Sequence, residues 1–144
     1  MNILLLNHYA GSLQHGMEYR PFYLAREWVK AGHQVHIVAA SFAHVRSVQP
    51  TLPNGELSAT QVIEGVHYHW FATPSYSGNG LGRIKNMLAF MRAVNKNAAQ
   101  LVKTIQPDVV IASSTYPMDI GPAQKIAKLS KAQLVYEVHD LWPL

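Results

Sequence analysis

Residues 1–40 read MNILLL NHYAGSLQHG MEYRPFYLAREWVKA G HQVHIVAA, and the fold is decided there. Residues 2–6 form a short unbroken apolar run, the pattern of a strand covered on both faces. Asn7 ends it, and residues 7–16 are polar and contain Gly11 and Gly16. A helical pattern follows over residues 17–31, with Leu24, Ala25, Trp28 and Val29 on one stripe. Pro21 is compatible with it only in the first turn, and Gly32 is placed to stop it. Residues 34–40 carry Val35, Ile37 and Val38 and read as a second buried strand. A strand–helix–strand unit at the start of a chain predicts a parallel sheet.

Working outward, residues 41–60 contain Pro50, Pro53 and an Asn54-Gly55 pair and read as a long loop. Residues 61–63, the turn Glu64-Gly65 and residues 66–71 read as a hairpin. A second glycine-rich loop covers residues 73–82. A long helix spans about residues 81–105 and is closed by Pro107. Residues 108–112 (DVVIA) are a strand. A helix lies within 117–131, and 133–138 (QLVYEV) form the last strand. The expected architecture is a single α/β domain: an open, mainly parallel sheet with helices on both faces and a core strand order of 3-2-1-4-5. Ligands of such sheets bind beyond the carboxyl ends of the strands, where the order reverses. That crevice lies between the first strand and the DVVIA strand, so residues 7–16, residues 113–119 and His139 converge on it.

The chain has 144 residues, 49% of them hydrophobic and 14% charged, which excludes a disordered tail and a coiled coil. There is no cysteine, so disulfides, thiolate metal sites and cysteine nucleophiles are excluded. The formal net charge is +4, but no run is dense enough for a nucleic-acid arm, and nucleic acid is not an expected partner. The opening apolar run is far shorter than the roughly 7–15 residues of a secretory signal, and no stretch reaches the ~18 of a membrane span. A cytoplasmic location is expected.

Gly11 and Gly16 flank a turn into a helix whose N-terminus suits an anion. The region lacks G-x-G-x-x-G and a phosphate-binding lysine motif, which disfavours dinucleotide binding and ATP hydrolysis. Arg20 opposes the dipole of its helix, a cost that makes sense if it meets an anion; a surface pairing with Glu18 or Glu27 is the simpler account. Ser113, Ser114, Thr115, Tyr116 and Asp119 offer hydroxyls and a carboxylate at a strand end, either for a ligand or as helix caps. A serine hydrolase is disfavoured because G-x-S-x-G is absent. Of eight histidines, most, including His33, His36, His67 and His69, read as structural or solvent-facing. No helical histidine pair suggests zinc, and no metal is expected. His139 differs because it leaves a strand at the crevice, where imidazole can serve a developing charge. On the long helix, Lys85, Arg92, Lys96 and Lys103 form one stripe, with Arg83 added to them and Ile84, Met87, Leu88, Met91, Val94, Leu101 and Ile105 opposite. The stripe is an ordinary solvated face or a contact with anionic lipid headgroups at the inner membrane face.

The segments NILLLNHYAG (2–11), HGMEYRP (15–21), AGHQV (31–35), PDVVIASS (107–114) and EVHDLWP (137–143) together resemble the N-terminal, acceptor-side domain of a GT-B glycosyltransferase of the family-4 retaining type. Bacterial enzymes that add an amino sugar to a lipid-linked sugar during surface-polysaccharide synthesis are the most similar. The resemblance implies a Rossmann-like domain, a nucleotide-sugar donor, a lipid-linked acceptor and no metal requirement. It implies a further donor-binding domain that these 144 residues do not include, so that this chain alone is not expected to turn over. It maps His139 to a histidine near the reacting carbon of the donor sugar. Gly11 and Gly16 map to the loop that approaches the donor diphosphate and the acceptor, and Glu18, Tyr19 and Arg20 to acceptor contacts. The other reading is a non-catalytic module that binds a sugar or a partner protein.

Overall fold

The computed structural model describes residues 1–139. Six strands and three helices follow one another as β1 (Asn2–Leu6), α1 (Tyr19–Lys30), β2 (Gln34–Ala40), β3 (Ser58–Ile63), β4 (Val66–Phe71), α2 (Leu81–Ile105), β5 (Val109–Ala112), α3 (Ile120–Ser130) and β6 (Gln133–Tyr136). A 3-10 turn, Pro117–Asp119, leads into α3. The strands form one sheet of order β3-β4-β2-β1-β5-β6. All neighbours are parallel except the β3–β4 hairpin, which leaves β3 as an antiparallel edge. Without that edge strand, the order is the expected 3-2-1-4-5, and the fold is an open Rossmann-like α/β sheet.

Strands β1 and β2 are buried on both faces because helices cover both. Phe22 and Ala25 of α1 pack with Ile3, Leu5, Val35, Ile37, Tyr68 and Trp70 on one face. On the other, Phe90, Val94, Ala98, Leu101 and Ile105 of α2 and Ala123, Ile126 and Ala127 of α3 pack with Leu4, Leu6, Val38, Val110 and Ala112. The alternation of strand side chains thus divides one apolar run between two cores. Helix α1 leaves β1 toward one face and α3 leaves β5 toward the other, so the switch point falls between β1 and β5 as expected.

Some boundaries differ from the sequence reading. Helix α1 begins at Tyr19 rather than residue 17, because Gly16 and Glu18 are held by loop hydrogen bonds: Glu18 N–H donates to Tyr9 O at 3.2 Å, and Gly11 N–H to Glu18 O at 2.9 Å. Pro21 does lie in the first turn. Strand β3 begins at Ser58, inside the stretch read as loop, because pairing with β4 recruits Ser58, Ala59 and Thr60 despite their weak apolar pattern. Strand β6 ends at Tyr136, two residues early. Of the α2 residues read as lying opposite the basic stripe, Val94, Leu101 and Ile105 are buried in the core, Met87 and Met91 are half-buried against Tyr9, Ala43 and Tyr116, and Ile84 and Leu88 are exposed. The buried face runs instead through Asn86, Phe90, Val94, Ala98, Leu101 and Ile105.

Candidate functional site

The parallel register aligns Leu6, Ala112 and Tyr136 as neighbours at the ends of β1, β5 and β6. The next residue of each strand is polar, so Asn7, Ser113 and Glu137 line up side by side at the sheet edge. Backbone bonds carry the ladder one step further: Ser113 N–H donates to Leu6 O at 2.8 Å, and Glu137 N–H to Ala112 O at 2.9 Å. Asn7 donates its amide to Ser113 O at 2.6 Å. Ser113 Oγ donates to Glu137 Oε2 at 2.6 Å. His139 Nε2 lies 3.0 Å from Ser113 Oγ and 3.2 Å from Glu137 Oε2. Since the serine proton goes to the carboxylate, the network assigns a proton to His139 Nε2, shared between the two oxygens. Nδ1 then remains without a protein partner among the described residues.

Arg20 reaches this cluster from the start of α1 and forms an ion pair with Glu137. Neither Glu18 nor Glu27 is its partner. Burial pushes the Glu137 carboxyl up, but the hydrogen bonds from Arg20 and Ser113 and the charges of Arg20 and His139 outweigh it and hold the group below its ordinary value. Glu137 is therefore ionised at neutral pH. Glu137 and Asn7 were not singled out in the sequence. The signal that would have found them is the register, since each immediately follows a strand end.

Ser114, Tyr116 and Asp119 support the cluster rather than line it. Ser114 is buried; its Oγ accepts from His8 N–H at 3.1 Å, and its own N–H donates to Asp119 Oδ2 at 2.9 Å. Asp119 is fully buried, which pushes its carboxyl up despite the bonds from Ser114 and Ser113, so it fixes the β5–α3 connection. Tyr116 is buried and shares a 2.8 Å hydrogen bond with His8 Nδ1. Thr115 is half-buried, and Tyr19 is exposed beside Tyr23. His8 is enclosed by Tyr9, Phe90 and Tyr116, and burial lowers its pKa from 6.5 to about 3. It is a neutral strut.

Gly11 contributes through shape. It is buried, and its carbonyl accepts from Tyr68 OH at 2.7 Å. A side chain there would collide with the backbone carbonyls of Gly16 and Met17. Gly16 adopts φ 91°, a conformation that disfavours other residues. Gly11→Ala is expected to displace the loop and cost about 2 kcal/mol or more through overpacking; an unchanged urea midpoint would contradict this contact. The loop is pinned from behind by Arg46. Its Nε donates to Ala10 O at 2.8 Å and its Nη2 to His8 O at 3.1 Å, over the Trp70 ring.

On α2, Lys85, Arg92, Lys96 and Lys103 are exposed on one face, as read. Arg83 is not on that stripe. At about 100° per residue it lies across the helix from it, and its Nε donates to Tyr9 OH at 3.1 Å at the strand ends. Among the described residues no helix is long and apolar enough to cross a membrane.

Two crystal structures of the C-terminal domain of the PF1911 hydrogenase from Pyrococcus furiosus are similar in fold, with TM-scores of 0.57 and 0.61. Each is 15% identical, and each alignment covers 94% of this chain and 89% of that one. At that identity the likeness concerns the sheet alone. No curated protein matches the chain. The sequence does match the glycosyl transferase 4-like domain over residues 15–144, a span that includes α1, the Ser113–Glu137–His139 cluster and Arg20, and the chain belongs to that family of glycosyltransferase domains.

Proposed function

We propose that this chain is the acceptor-side half of a nucleotide-sugar-dependent glycosyltransferase that adds an amino sugar to a lipid-linked acceptor in polysaccharide synthesis. A donor-binding domain completes the site. The observation that carries the reading is the cluster of Ser113, Glu137, His139 and Arg20 at the switch point of the sheet. One ionised carboxylate there orients one imidazole. With Nε2 committed to Glu137 and Ser113, His139 offers Nδ1 to a sugar hydroxyl or to charge developing at the reacting carbon. It positions the sugar and stabilises charge; it does not attack.

The start of α1 has no side-chain cap, which leaves first-turn N–H groups free beside Arg20, and this reading places the anionic diphosphate there. Charge neutralisation by these groups dispenses with a metal. Glu18, Tyr19 and Thr115 border the crevice and are the acceptor contacts of this reading. The exposed face of Lys85, Arg92, Lys96 and Lys103 rests against anionic lipid at the inner membrane face, each charge adding about 1 kcal/mol.

The test uses the intact protein in a sugar-transfer assay. His139→Ala is expected to lower kcat by about 100-fold or more with an unchanged thermal midpoint. Glu137→Gln keeps the shape but weakens the orientation, and is expected to lower kcat less. Transfer at the wild-type rate by the His139 variant would end the catalytic role. Binding of a lipid-linked sugar without any transfer would favour the non-catalytic module.

A further inference from the structure

Beside the strand ends, the first half of α2 and residues 115–118 enclose a groove of about 490 Å³, within the range of about 300–1,000 Å³ of small-molecule sites. Ile84, Met87, Leu88 and Met91 form one wall, and Tyr116 and Met118 the other. Ile84 is 51% exposed, Met118 44% and Leu88 38%, so a continuous apolar trough stands open to solvent. Methionine side chains suit a flexible apolar ligand because they adapt to its shape.

One end of the trough is charged. Arg83 is held over the Tyr9 ring, its Nε bonded to Tyr9 OH at 3.1 Å and its Nη1 to Asn79 Oδ1 at 3.0 Å. It has no acidic partner among the described residues, and no acidic residue occurs between Gly65 and Pro107. A fixed, unneutralised guanidinium at the end of an apolar trough complements one kind of molecule: a hydrocarbon chain that ends in an anion.

We infer that the groove between α2 and residues 115–118 binds the hydrocarbon chain of a single amphiphile, with Arg83 on its phosphate. Its occupant is a monomeric chain rather than the surface of a bilayer. The trough is concave and Tyr116 in its second wall is buried, so a flat lipid surface does not reach it. The basic stripe of Lys85, Arg92, Lys96 and Lys103 lies on the outer face of α2, away from Arg83, and is a separate feature. The inference rests on the acceptor reading above for the source of such a molecule, but not for its chemistry.

The probe is dodecyl phosphate, kept below its micelle concentration and titrated into the 144-residue chain by calorimetry. Saturable binding of one molecule per chain is expected, with no heat from inorganic phosphate at the same concentrations. Ile84→Gln and Met118→Gln alter exposed positions that the core does not use, and each is expected to weaken binding about tenfold. Arg83→Gln is expected to remove the preference for dodecyl phosphate over an uncharged dodecyl maltoside, and Arg83→Lys to restore part of it. Equal affinity in the Ile84 and Met118 variants would overturn the assignment. So would uptake only from phosphatidylglycerol vesicles that is lost in a Lys85→Gln/Arg92→Gln double variant, which would move the contact to the outer stripe. Because no turnover is measured, an inactive enzyme that still binds the probe would refute the transferase reading alone.

Discussion

Acidification from about pH 7 to about pH 4 is expected to destabilise this domain strongly. Three histidines are responsible. Burial among Tyr9, Phe90 and Tyr116 lowers His8 from 6.5 to about 3; the nearby Asn86 side chain offsets part of that, and Arg46, Arg83 and His44 add repulsion. His36 and His69 meet at 2.9 Å between β2 and β4, and burial with the neighbouring imidazoles lowers both to about 4. A base whose folded pKa lies below its unfolded one stabilises the native state fully above the unfolded value, here about 6.5. That contribution is lost as pH falls toward the folded value, because the unfolded chain takes up protons that the native one refuses. Each proton that the native state refuses removes about 1.4 kcal/mol per pH unit; His36 and His69 share a hydrogen bond and titrate as one coupled pair, so their contributions do not simply add to that of His8. A small domain holds only about 5–15 kcal/mol in total, so a large part of its stability disappears as the pH falls toward about 4. Urea unfolding at stepped pH checks this. His8→Gln is expected to flatten the profile at its acid end, and a profile that stays level from pH 7 to 4.5 would refute the linkage.

Arg46→Ala is expected to be the most damaging single substitution outside the apolar core. The guanidinium is buried and holds three acceptors: Ala10 O at 2.8 Å, His8 O at 3.1 Å and Gln49 Oε1 at 3.3 Å. It also stacks over Trp70 at 4.9 Å. Burial lowers its pKa to about 10, so it stays charged at neutral pH. Truncation leaves the buried Ala10 carbonyl without a donor, takes one of two donors from the His8 carbonyl, which Ala40 N–H still serves, and empties the space over Trp70. A cost of about 2–4 kcal/mol follows, from roughly 1–3 kcal/mol for the orphaned group plus lost packing. Arg46→Lys is expected to recover less than half, since an ammonium cannot span three divergent acceptors. A loss below 1 kcal/mol in the alanine variant would show that water replaces the fork.

What could be read from the sequence depended on how local the cause was. Strands β1 and β2, helices α1 and α2 and the Glu64-Gly65 hairpin announce themselves through periodicity and punctuation over a few residues. The strand order followed from connection rules. Ser58–Thr60 did not read as strand because their pairing partners on β4, not their own side chains, hold them there. Residues of the site that depend on distant partners were invisible. Arg46 meets His8 across 38 residues, and His8 meets Tyr116 across 108. Glu137 gains its importance only when the register brings it beside Ser113 and the first helix brings Arg20. His139 and Arg20 stand out as candidates because they lie at a strand end and a helix start, positions that a sequence does reveal.

The bond between Arg20 and Glu137 fastens the start of α1 to the end of β6 across β1 and β5. Helix α1 does not need it to stay seated, since Pro21, Phe22 and Ala25 already bury its inner face. Arg20 is also largely exposed, so it can swing aside while the backbone stays still. Where the bond opens, the guanidinium can swing away within nanoseconds, the pace of rotamer exchange at a surface, while the helix it springs from keeps its place.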